Sequence, residues 1–407
     1  MTTIRPLEAD DDLDAEADLS HRVFGPIGAG RRIAAAERAQ ACVEDARLFG
    51  AFDHGQMVGS ARYFDLRQWW NGQAVPLAGV GGVKVAPEFQ GRGIGRALMS
   101  GLLSAMSARG YPLSLLYPST LRFYRALGWE QAGGCYHLDM PGRALRSLLP
   151  ADPEIGLTGQ TGDPDAVTLR RAGPADAEQV LAVLGAAHSA SLDCGPSTFD
   201  LASIRRDLQG DEHFSYLADD GFVSYYWAGN RDVIEVSTLR AASARTAAAL
   251  WRLVGSHAPQ AETVRAWVGP LDPIGWLTRE EDVQSVLWGR WMLRVHDPVA
   301  AVAGRGFPRG TEISVPLRLA DAALTANAGC YILTVAGGTG TLVKTGSATD
   351  GGPPEAVVMG PRGFAALFAG VPMATLRVAG LADDGDRGAD AKLDGAFACT
   401  PFMLDTF

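Results

Sequence analysis

The sequence predicts a chain of mixed α/β and α+β class, in which two related α/β units precede an α+β domain. A strand, a glycine-rich loop and a helix follow one another over residues 80–98. Residues 168–178 repeat the strand and acidic helix start found at residues 3–14. A chain of 407 residues is too long for one ordinary domain. We therefore predict domains at residues 1–150, 151–297 and 298–407.

The remaining elements of the first unit are predicted from local patterns. They are a strand at residues 4–7, a helix start at 10–14, a hairpin with strands at 51–53 and 57–63, a strand at 113–117 and a helix at 121–127. Gly128 ends the last helix, because glycine is favoured just beyond helix ends. Residues 152–165, rich in Gly, Pro and Asp, predict a linker.

Composition narrows the function classes. The chain is 47% hydrophobic, yet it has no run of about 18 apolar residues, so we expect no membrane span. Its acidic N-terminus lacks the basic start and apolar core of a signal peptide, so we expect a cytoplasmic location. A net charge of −10 disfavours nucleic acid as a partner and suits cationic substrates.

The cysteines and histidines indicate no metal site. The five cysteines are scattered and contain no C-x-x-C, which favours reduced, buried thiols over a disulfide framework. They are Cys42, Cys135, Cys194, Cys330 and Cys399. The seven histidines show neither H-x-H nor H-x-x-x-H spacing.

The segment at residues 80–98 predicts a cradle for a pyrophosphate. Val83, Lys84 and Val85 alternate as in a strand, and Pro87 ends the strand because proline has no N–H to donate. A loop opening a helix presents free N–H groups and the positive end of the helix dipole. The loop and helix start contain Gly91, Arg92, Gly93, Ile94, Gly95 and Arg96. The glycines let a ligand approach the backbone, and the arginines suit phosphate charge.

The spacing of this segment separates three kinds of phosphate loop. A dinucleotide motif beginning at Gly91 would need glycine at Arg96, and the G-K-[ST] of a P-loop is absent. The pattern V-x-V-x-P-x-x-Q-x-x-G-x-G instead resembles the acetyl-CoA loop of the GNAT superfamily of N-acyltransferases. This resemblance implies that the backbone of residues 83–85 pairs with the pantetheine amides and that residues 91–96 hold the diphosphate. The alternative is an ordinary strand–turn–helix connection.

The second unit is predicted to be a degenerate copy of the first. Residues 234–236 precede an alanine-rich helix that continues through Leu250. Aligned with the cradle, Ala241 falls at the position of Gln90, and the glycine positions are taken by Ala242, Ala244 and Thr246. Each added Cβ would crowd a pyrophosphate, so we predict that the second unit does not hold CoA.

The third region predicts an α+β domain from alternating residues 312–317 and 330–335 and a helix at 361–368. Two GNAT-like units followed by such a domain resemble the Eis-type N-acetyltransferases. The resemblance implies tandem GNAT domains, the second degenerate, a C-terminal domain similar to sterol carrier protein, and a homohexamer.

A second motif supplies a candidate acid. Residues 123–129 fit the F-Y-x-x-x-G-[WFY] pattern, and the resemblance places Tyr124 beside the CoA sulfur, with Ser119 and Thr120 on the CoA side. A phenol with a pKa near 10 can donate a proton or a hydrogen bond to the leaving thiolate. The alternative for Tyr124 is a core aromatic, the role we assign to Phe123.

The resemblance also implies that the carboxylate of the last residue, Phe407, is the general base. A terminal carboxyl has an ordinary pKa of about 3.3–3.7, so burial must raise it before it serves as a base. Residues 401–404 are too apolar for a typical free tail, which favours this role over a disordered end.

The acceptor is less defined. Eis-type enzymes acetylate amines of aminoglycosides, often several on one molecule, and some acetylate protein lysines. A polycationic sugar needs carboxylates, but residues 20–36 contain none and include three arginines. Candidate replacements are Glu37, Glu44, Asp65 and Asp405. Trp69 and Trp70 either line this pocket or belong to the core or a subunit contact.

We therefore predict an acetyl-CoA-dependent N-acetyltransferase that acts on small polyamine or aminoglycoside-like acceptors by direct transfer in a ternary complex. No cysteine lies in the cradle or beside Tyr124 to form an acyl-enzyme. One alternative is acetylation of protein lysines. Another is a non-catalytic protein that binds a hydrophobic ligand in its third domain and has a vestigial GNAT part.

Overall fold

The structure, a computed structural model, describes residues 2–11, 13–26, 29–148, 167–198, 200–229, 231–279, 282–347, 353, 355–383 and 387–404, without the side chains of 29–34. Within these residues it contains a mixed sheet of 14 strands and a second sheet of four. The predicted linker at residues 152–165 lies outside the described part.

The first unit begins the large sheet. Its elements are β1 (Thr3–Pro6), α1 (Leu13–Phe24), α2 (Ala29–Glu44), β2 (Leu48–Asp53), β3 (Gln56–Trp70), β4 (Gln73–Val85), α3 (Ile94–Ala108), β5 (Leu113–Leu116), α4 (Leu121–Arg125) and β6 (Glu130–Pro141). The predicted hairpin is β2–β3, and the strand, loop and helix of the cradle are β4 and α3. Both predictions are confirmed. Each could be made locally, because it rests on an alternation or a helical spacing within one segment.

The second unit repeats this order. It contains β7 (Arg170–Arg171), α5 (Ala177–Ala190), β8 (Ser197–Thr198), α6 (Leu201–Gln209), β9 (Phe214–Leu217), β10 (Gly221–Ala228), β11 (Val233–Ala241), α7 (Ala244–Gly255), β12 (Thr263–Trp267), α8 (Ile274–Leu277) and β13 (Gln284–Val295).

The third region forms the four-stranded sheet and its helices. It contains α9 (Pro298–Gly304), β14 (Ile313–Leu319), β15 (Gly329–Ala336), β16 (Thr339–Gly346), β17 (Val357–Met359), α10 (Pro361–Phe368), α11 (Met373–Val378), α12 (Asp390–Phe397) and β18 (Phe402–Met403). The strand order is β16-β15-β14-β17. Strand β18 is not part of this sheet and pairs with β6 of the large sheet. No helix among the described residues is long and apolar enough to cross a bilayer.

The two α/β units exchange their last strands. The large sheet runs β1-β2-β3-β4-β5-β13-β6-β12-β11-β10-β9-β7. Strand β13 of the second unit lies between β5 and β6 of the first, antiparallel to both. Strand β6 in turn pairs with β12 of the second unit. Each unit therefore completes its sheet with a strand from the other.

A buried ion pair joins β13 to the third domain. Arg294 is fully buried and its Nη2 donates to both carboxylate oxygens of Asp321, at 2.8 and 2.9 Å. The backbone N–H groups of Ala323 and Leu324 donate to the same carboxylate. A Cβ on Gly128, whose φ is +92°, would lie 1.8 Å from Nη1 of Arg294. The glycine that ends the α4 segment thus also makes room for this arginine.

The tip of the β3–β4 hairpin packs into the core shared with the third domain. Trp70 is fully buried, with ring centroids 4.9 Å from Phe368 and 6.2 Å from Trp291. Trp69 stacks on His188 of the second unit at 5.4 Å and donates its indole N–H to Thr198. Trp70 is therefore a core residue, whereas Trp69 is half-buried against the second unit.

Candidate active site

Strands β4 and β5 separate and leave a wedge-shaped opening. They pair in parallel only where residues 77–80 face residues 113–116, whereas β4 continues to Val85. Gly82, at φ +62°, lies where the β3–β4 register shifts, and such irregularities bend a strand. Among the described strands, none pairs with residues 81–85 on the β5 side. Val83 and Val85 lie in this segment, so their backbone can pair with an extended ligand.

The glycine loop lies at the N-terminus of α3. Gly91 and Gly93 have φ of +78° and +81°, and an added Cβ on either would meet no atom within 4 Å. Gly93 caps α3 without any side-chain hydrogen bond, so the first N–H groups of the helix remain available to an anion. Gly95 differs, because its added Cβ would touch the Phe123 ring at 3.5 Å.

The two arginines of the loop differ in position. Arg92 folds back over the Phe89 ring, 4.8 Å from its centroid, and donates to the Glu88 carbonyl at 3.1 Å. Arg96 is exposed on the first turn of α3, close to the predicted diphosphate position, while Ile94 is buried and anchors the turn. The geometry agrees with a phosphate cradle formed mainly by the backbone.

The side chain of Lys84 points away from the opening into a buried ion pair. Its Nζ lies 2.5 Å from Oε1 of Glu16 on α1, and both side chains are at most 5% exposed. Burial raises the pKa of Glu16, but Lys84, Arg62 and the Ser60 hydroxyl outweigh this effect and leave the pKa lowered. At Lys84 desolvation prevails and lowers the ammonium pKa. Only the backbone of Lys84 is thus placed to contact a cofactor.

Sequence reasoning missed Glu16. Its signal was its position, three residues after Leu13 and three before Leu19 on the apolar face of α1. An acid at such a helical spacing predicts a buried partner. The candidate replacement acids Glu37, Glu44 and Asp65 are all exposed.

Tyr124 lies on α4, which follows β5. It is 5% exposed and belongs to a core cluster with Leu98 of α3 and Leu116 of β5. Burial raises the pKa of Tyr124 to about 12, although a hydrogen bond with the Ser119 hydroxyl opposes this effect. Ser119 and Thr120 are exposed in the turn between β5 and α4. The phenol is therefore protonated at neutral pH and can donate a hydrogen bond.

The C-terminal segment enters the same sheet. Residues 402–403 pair in parallel with Gly134 and Cys135 of β6, and Leu404 is buried. Phe407 and Asp405, predicted as general base and candidate acceptor ligand, lie outside the described residues.

The second unit has the same opening without the loop. Residues 233–236 of β11 pair with residues 263–266 of β12, and β11 continues to Ala241. Only residues 242–243 then separate β11 from α7, whereas residues 86–93 separate β4 from α3. The alignment of Ala241 with Gln90 is therefore wrong, because Ala241 is still in the strand. The glycine loop is shortened rather than merely substituted by alanine.

The helix start and opening of the second unit are occupied by protein groups. The Ser243 side chain caps α7 by accepting from the Thr246 N–H, and the Thr246 hydroxyl donates to Asp220. The Phe402 ring lies 3.2 Å from where a Cβ on Gly269 would be, just beyond β12. The expected inability of this unit to hold CoA thus remains a prediction with two further physical reasons behind it.

Family models cover most of the chain. Two different models described as acetyltransferase (GNAT) domain match residues 3–132 and 203–295. A model described as sterol carrier protein domain matches residues 289–404. These matches confirm the predicted fold class of tandem GNAT domains and a sterol-carrier-like domain.

Whole-chain relatives show the same arrangement. The chain is similar to a GCN5-related N-acetyltransferase from Kribbella flavida, with 38% identity, a TM-score of 0.91, and coverage of 100% of this chain and 98% of that one. It is 28% identical to N-acetyltransferase Eis of Mycobacterium tuberculosis over 86% of this chain and 85% of the relative. Eis1 from Mycobacterium abscessus, at 21% identity and a TM-score of 0.77 over both full chains, shares the fold.

The Glu16–Lys84 pair can be tested through stability. Glu16→Gln leaves the Lys84 ammonium buried without its carboxylate, and we expect it to lower the free energy of unfolding by about 3–5 kcal/mol. Adding Lys84→Met removes the orphaned charge and should restore much of the loss. Urea unfolding of the two single variants and the double variant measures this coupling.

The pH dependence of stability gives a second test of the Glu16–Lys84 pair. Because the Glu16 pKa is lowered on folding, its contribution is present above the unfolded pKa of about 4.3 and lost as the pH falls through the folded value. The gap between wild type and Glu16→Gln should therefore shrink in acid. Glu178→Gln, in an exposed pair with Arg205, is the control and should change little. A double variant whose loss equals the sum of both single losses would contradict the coupling.

Proposed function

From the premise that this chain belongs to the GCN5-related N-acetyltransferase family and is an Eis-type acetyltransferase, we propose that it transfers the acetyl group of acetyl-CoA to amines of small polyamine or aminoglycoside-like acceptors. The observations that support the proposal are a loop with two open, left-handed glycines at the uncapped start of α3 and a buried tyrosine whose phenol is protonated at neutral pH.

The residues of the opening fit acetyl-CoA. The backbone of Val83, Lys84 and Val85 faces no partner strand on the β5 side and would pair with pantetheine amides. The uncapped start of α3 and the open glycines, over residues 91–96, would hold the diphosphate. Ser119 and Thr120 are exposed in the turn before α4 and would donate to the bound molecule.

Tyr124 would act as the general acid. Direct transfer to an amine leaves a thiolate, and a phenol that stays protonated at neutral pH can donate to the sulfur as negative charge develops. The raised pKa keeps the proton on the phenol, so it favours hydrogen-bond donation to the developing thiolate over early loss of the proton. The five cysteines all lie outside residues 83–96 and 117–129, so neither segment has a thiol that could form an acyl-enzyme. The amine would therefore attack the thioester directly.

Phe407 would supply the general base through its terminal carboxylate. The acceptor amine is an ammonium at neutral pH and must lose a proton before it attacks the thioester. The pairing of β18 with β6 supports this role, because it fixes the segment just before the chain end within the first unit's sheet.

The acceptor preference rests on charge and resemblance. A net charge of −10 favours cationic acceptors. Acetylation of protein lysines on the same machinery is the alternative, while a purely hydrophobic-ligand-binding role would leave the cradle without a function. The resemblance to Eis-type enzymes also leads us to propose a homohexamer. The exposed Trp276 and Trp288 side chains suit contacts between copies.

The function is tested by measuring release of the CoA thiol from acetyl-CoA with aminoglycosides, linear polyamines and lysine peptides. Turnover that releases more than one thiol per multi-amine acceptor supports the proposal. Turnover with peptides alone favours the lysine alternative. Acetyl-CoA binding without turnover for any acceptor class would contradict the proposed substrate class.

Tyr124→Phe removes the hydroxyl while keeping the buried ring. We expect kcat to fall on the order of 100-fold, because a general acid contributes about that much, with little change in acetyl-CoA affinity. Phe123→Leu, on the same short helix, controls for packing changes. An unchanged kcat in Tyr124→Phe would remove this residue from the mechanism.

Gly93→Val fills the cradle and forces a branched side chain into left-handed backbone. The loss of charge-assisted contacts worth about 2–3 kcal/mol should weaken acetyl-CoA binding about 100-fold in calorimetry. Gly110→Val is the matched control, since Gly110 has φ +76° and open space beyond the other end of α3. Equal affinities in the two variants would refute the cradle.

Addition of one alanine after Phe407 moves the terminal carboxylate by one residue. If that carboxylate is the base, kcat should fall at least on the order of 100-fold, with acetyl-CoA affinity retained. Phe407→Leu keeps the carboxylate in place and should retain most activity. Full activity of the extended chain would place the base elsewhere.

A further inference from the structure

A cavity of about 360 Å³ lies between the second unit and the C-terminal segment. Its walls include Trp251 of α7, Asp272 and Phe402, and the sulfur-bearing residues Cys194 and Cys399. Cys399 is half-buried and Cys194 is 5% exposed. Two thiols distant in sequence therefore share one cavity that small molecules can enter.

The two thiols lie close together in the wall of this cavity. The Cys194 thiol donates to the Leu192 carbonyl at 3.8 Å. On its other side, the Cys194 sulfur accepts from the Asn71 backbone N–H at 3.1 Å. The segments carrying the pair are also tied together, because the Phe402 N–H donates to the Cys194 carbonyl at 3.0 Å.

Arg305 supplies a buried cation beside Cys399. Its Nη2 lies 3.6 Å from the Cys399 sulfur, and the residue is 2% exposed. Its guanidinium is enclosed by aromatic rings 4.8–5.5 Å away, those of Trp70, Phe307, Phe368 and Phe397. A cation with so little water around it attracts a neighbouring thiolate strongly.

The pair is polarised in one direction. The neighbouring Cys194 thiol, together with Arg305, lowers the pKa of Cys399, while the nearness of Cys399 and burial raise the pKa of Cys194. Cys399 thus has thiolate character and Cys194 holds the proton. This is the arrangement of an attacking thiol with a resolving thiol beside it.

We propose that Cys399 and Cys194 are an oxidation site that closes a reversible disulfide when a peroxide enters the cavity. The Cys399 thiolate attacks one oxygen of hydrogen peroxide, the O–O bond breaks, and a sulfenic acid and hydroxide form. The Cys194 sulfur then attacks the sulfenic sulfur; the S–S bond forms, and the departing hydroxide takes the thiol proton as water. The hydroxide from the first step takes up the proton that Cys399 gave up when it ionised, so two thiols are oxidised and one peroxide is reduced to two waters.

The disulfide would fasten the C-terminal segment to the second unit. Cys399 lies three residues before β18, and Gly195, next to Cys194, has no room for a Cβ against the Phe402 backbone at 2.2 Å. Oxidation would therefore make covalent a contact that hydrogen bonding and packing already make.

The test treats the full-length protein with stoichiometric hydrogen peroxide, alkylates the remaining thiols and digests it without reductant. Before alkylation, the intact chain should lose about 2 Da on oxidation. After digestion we expect one cross-linked Cys194–Cys399 peptide, and dithiothreitol should fully reverse the cross-link. The thermal midpoint should rise by a few degrees on oxidation, as closing a long loop stabilises.

Three variants make the result specific. Cys399→Ser and Cys194→Ser should both abolish the cross-linked peptide, and Cys194→Ser should leave Cys399 open to sulfinic acid formation. Cys330→Ser, at a buried thiol on β15, should leave the cross-link intact. The proposal is overturned if Cys399 oxidises no faster than Cys42 and Cys330, or if wild-type Cys399 proceeds to sulfinic acid without linking to Cys194.

Discussion

The insertion of β13 between β5 and β6 is the constraint on which the other contacts depend. It makes the two α/β units one sheet, because each needs the other's last strand to satisfy its backbone hydrogen bonds. The same strand carries Arg294, whose buried charge requires Asp321 of the third domain. One strand thus couples all three domains, and the α4 segment that positions Tyr124 ends at the glycine that accommodates Arg294.

The repeated wedge shows how one framework serves two purposes. In both units the parallel pair ends four residues after it begins and the first strand continues alone. In the first unit an eight-residue loop (86–93) and an uncapped helix follow; in the second, two residues (242–243) and a Ser243 cap follow. The wedge comes from the strands, whereas the proposed anion cradle needs the loop. In the second unit the Phe402 ring of the C-terminal segment lies beside Gly269, just beyond β12.

Local patterns in the sequence were enough to predict the cradle, the β2–β3 hairpin and the helix bearing Tyr124, because each depends on neighbours within about 15 residues. The exchange of β6 and β13 was not predictable in this way. A strand keeps the same side-chain pattern whichever strand it pairs with, because the pairing joins backbone groups. The shortened loop was also hidden, since an alanine-rich helix start can be aligned with glycines at more than one register. The Cys194–Cys399 contact joins residues with no local relation.

The C-terminal segment gives the third domain a structural role. It passes Cys194 and Gly195 of the second unit, pairs with Gly134 and Cys135 of the first, and follows α12 of its own domain. A carboxylate placed three residues beyond Leu404 would take its position from all three domains at once. A side-chain base would depend on one element alone. The proposed use of the chain terminus as the base would therefore tie proton removal to the assembly of all three domains.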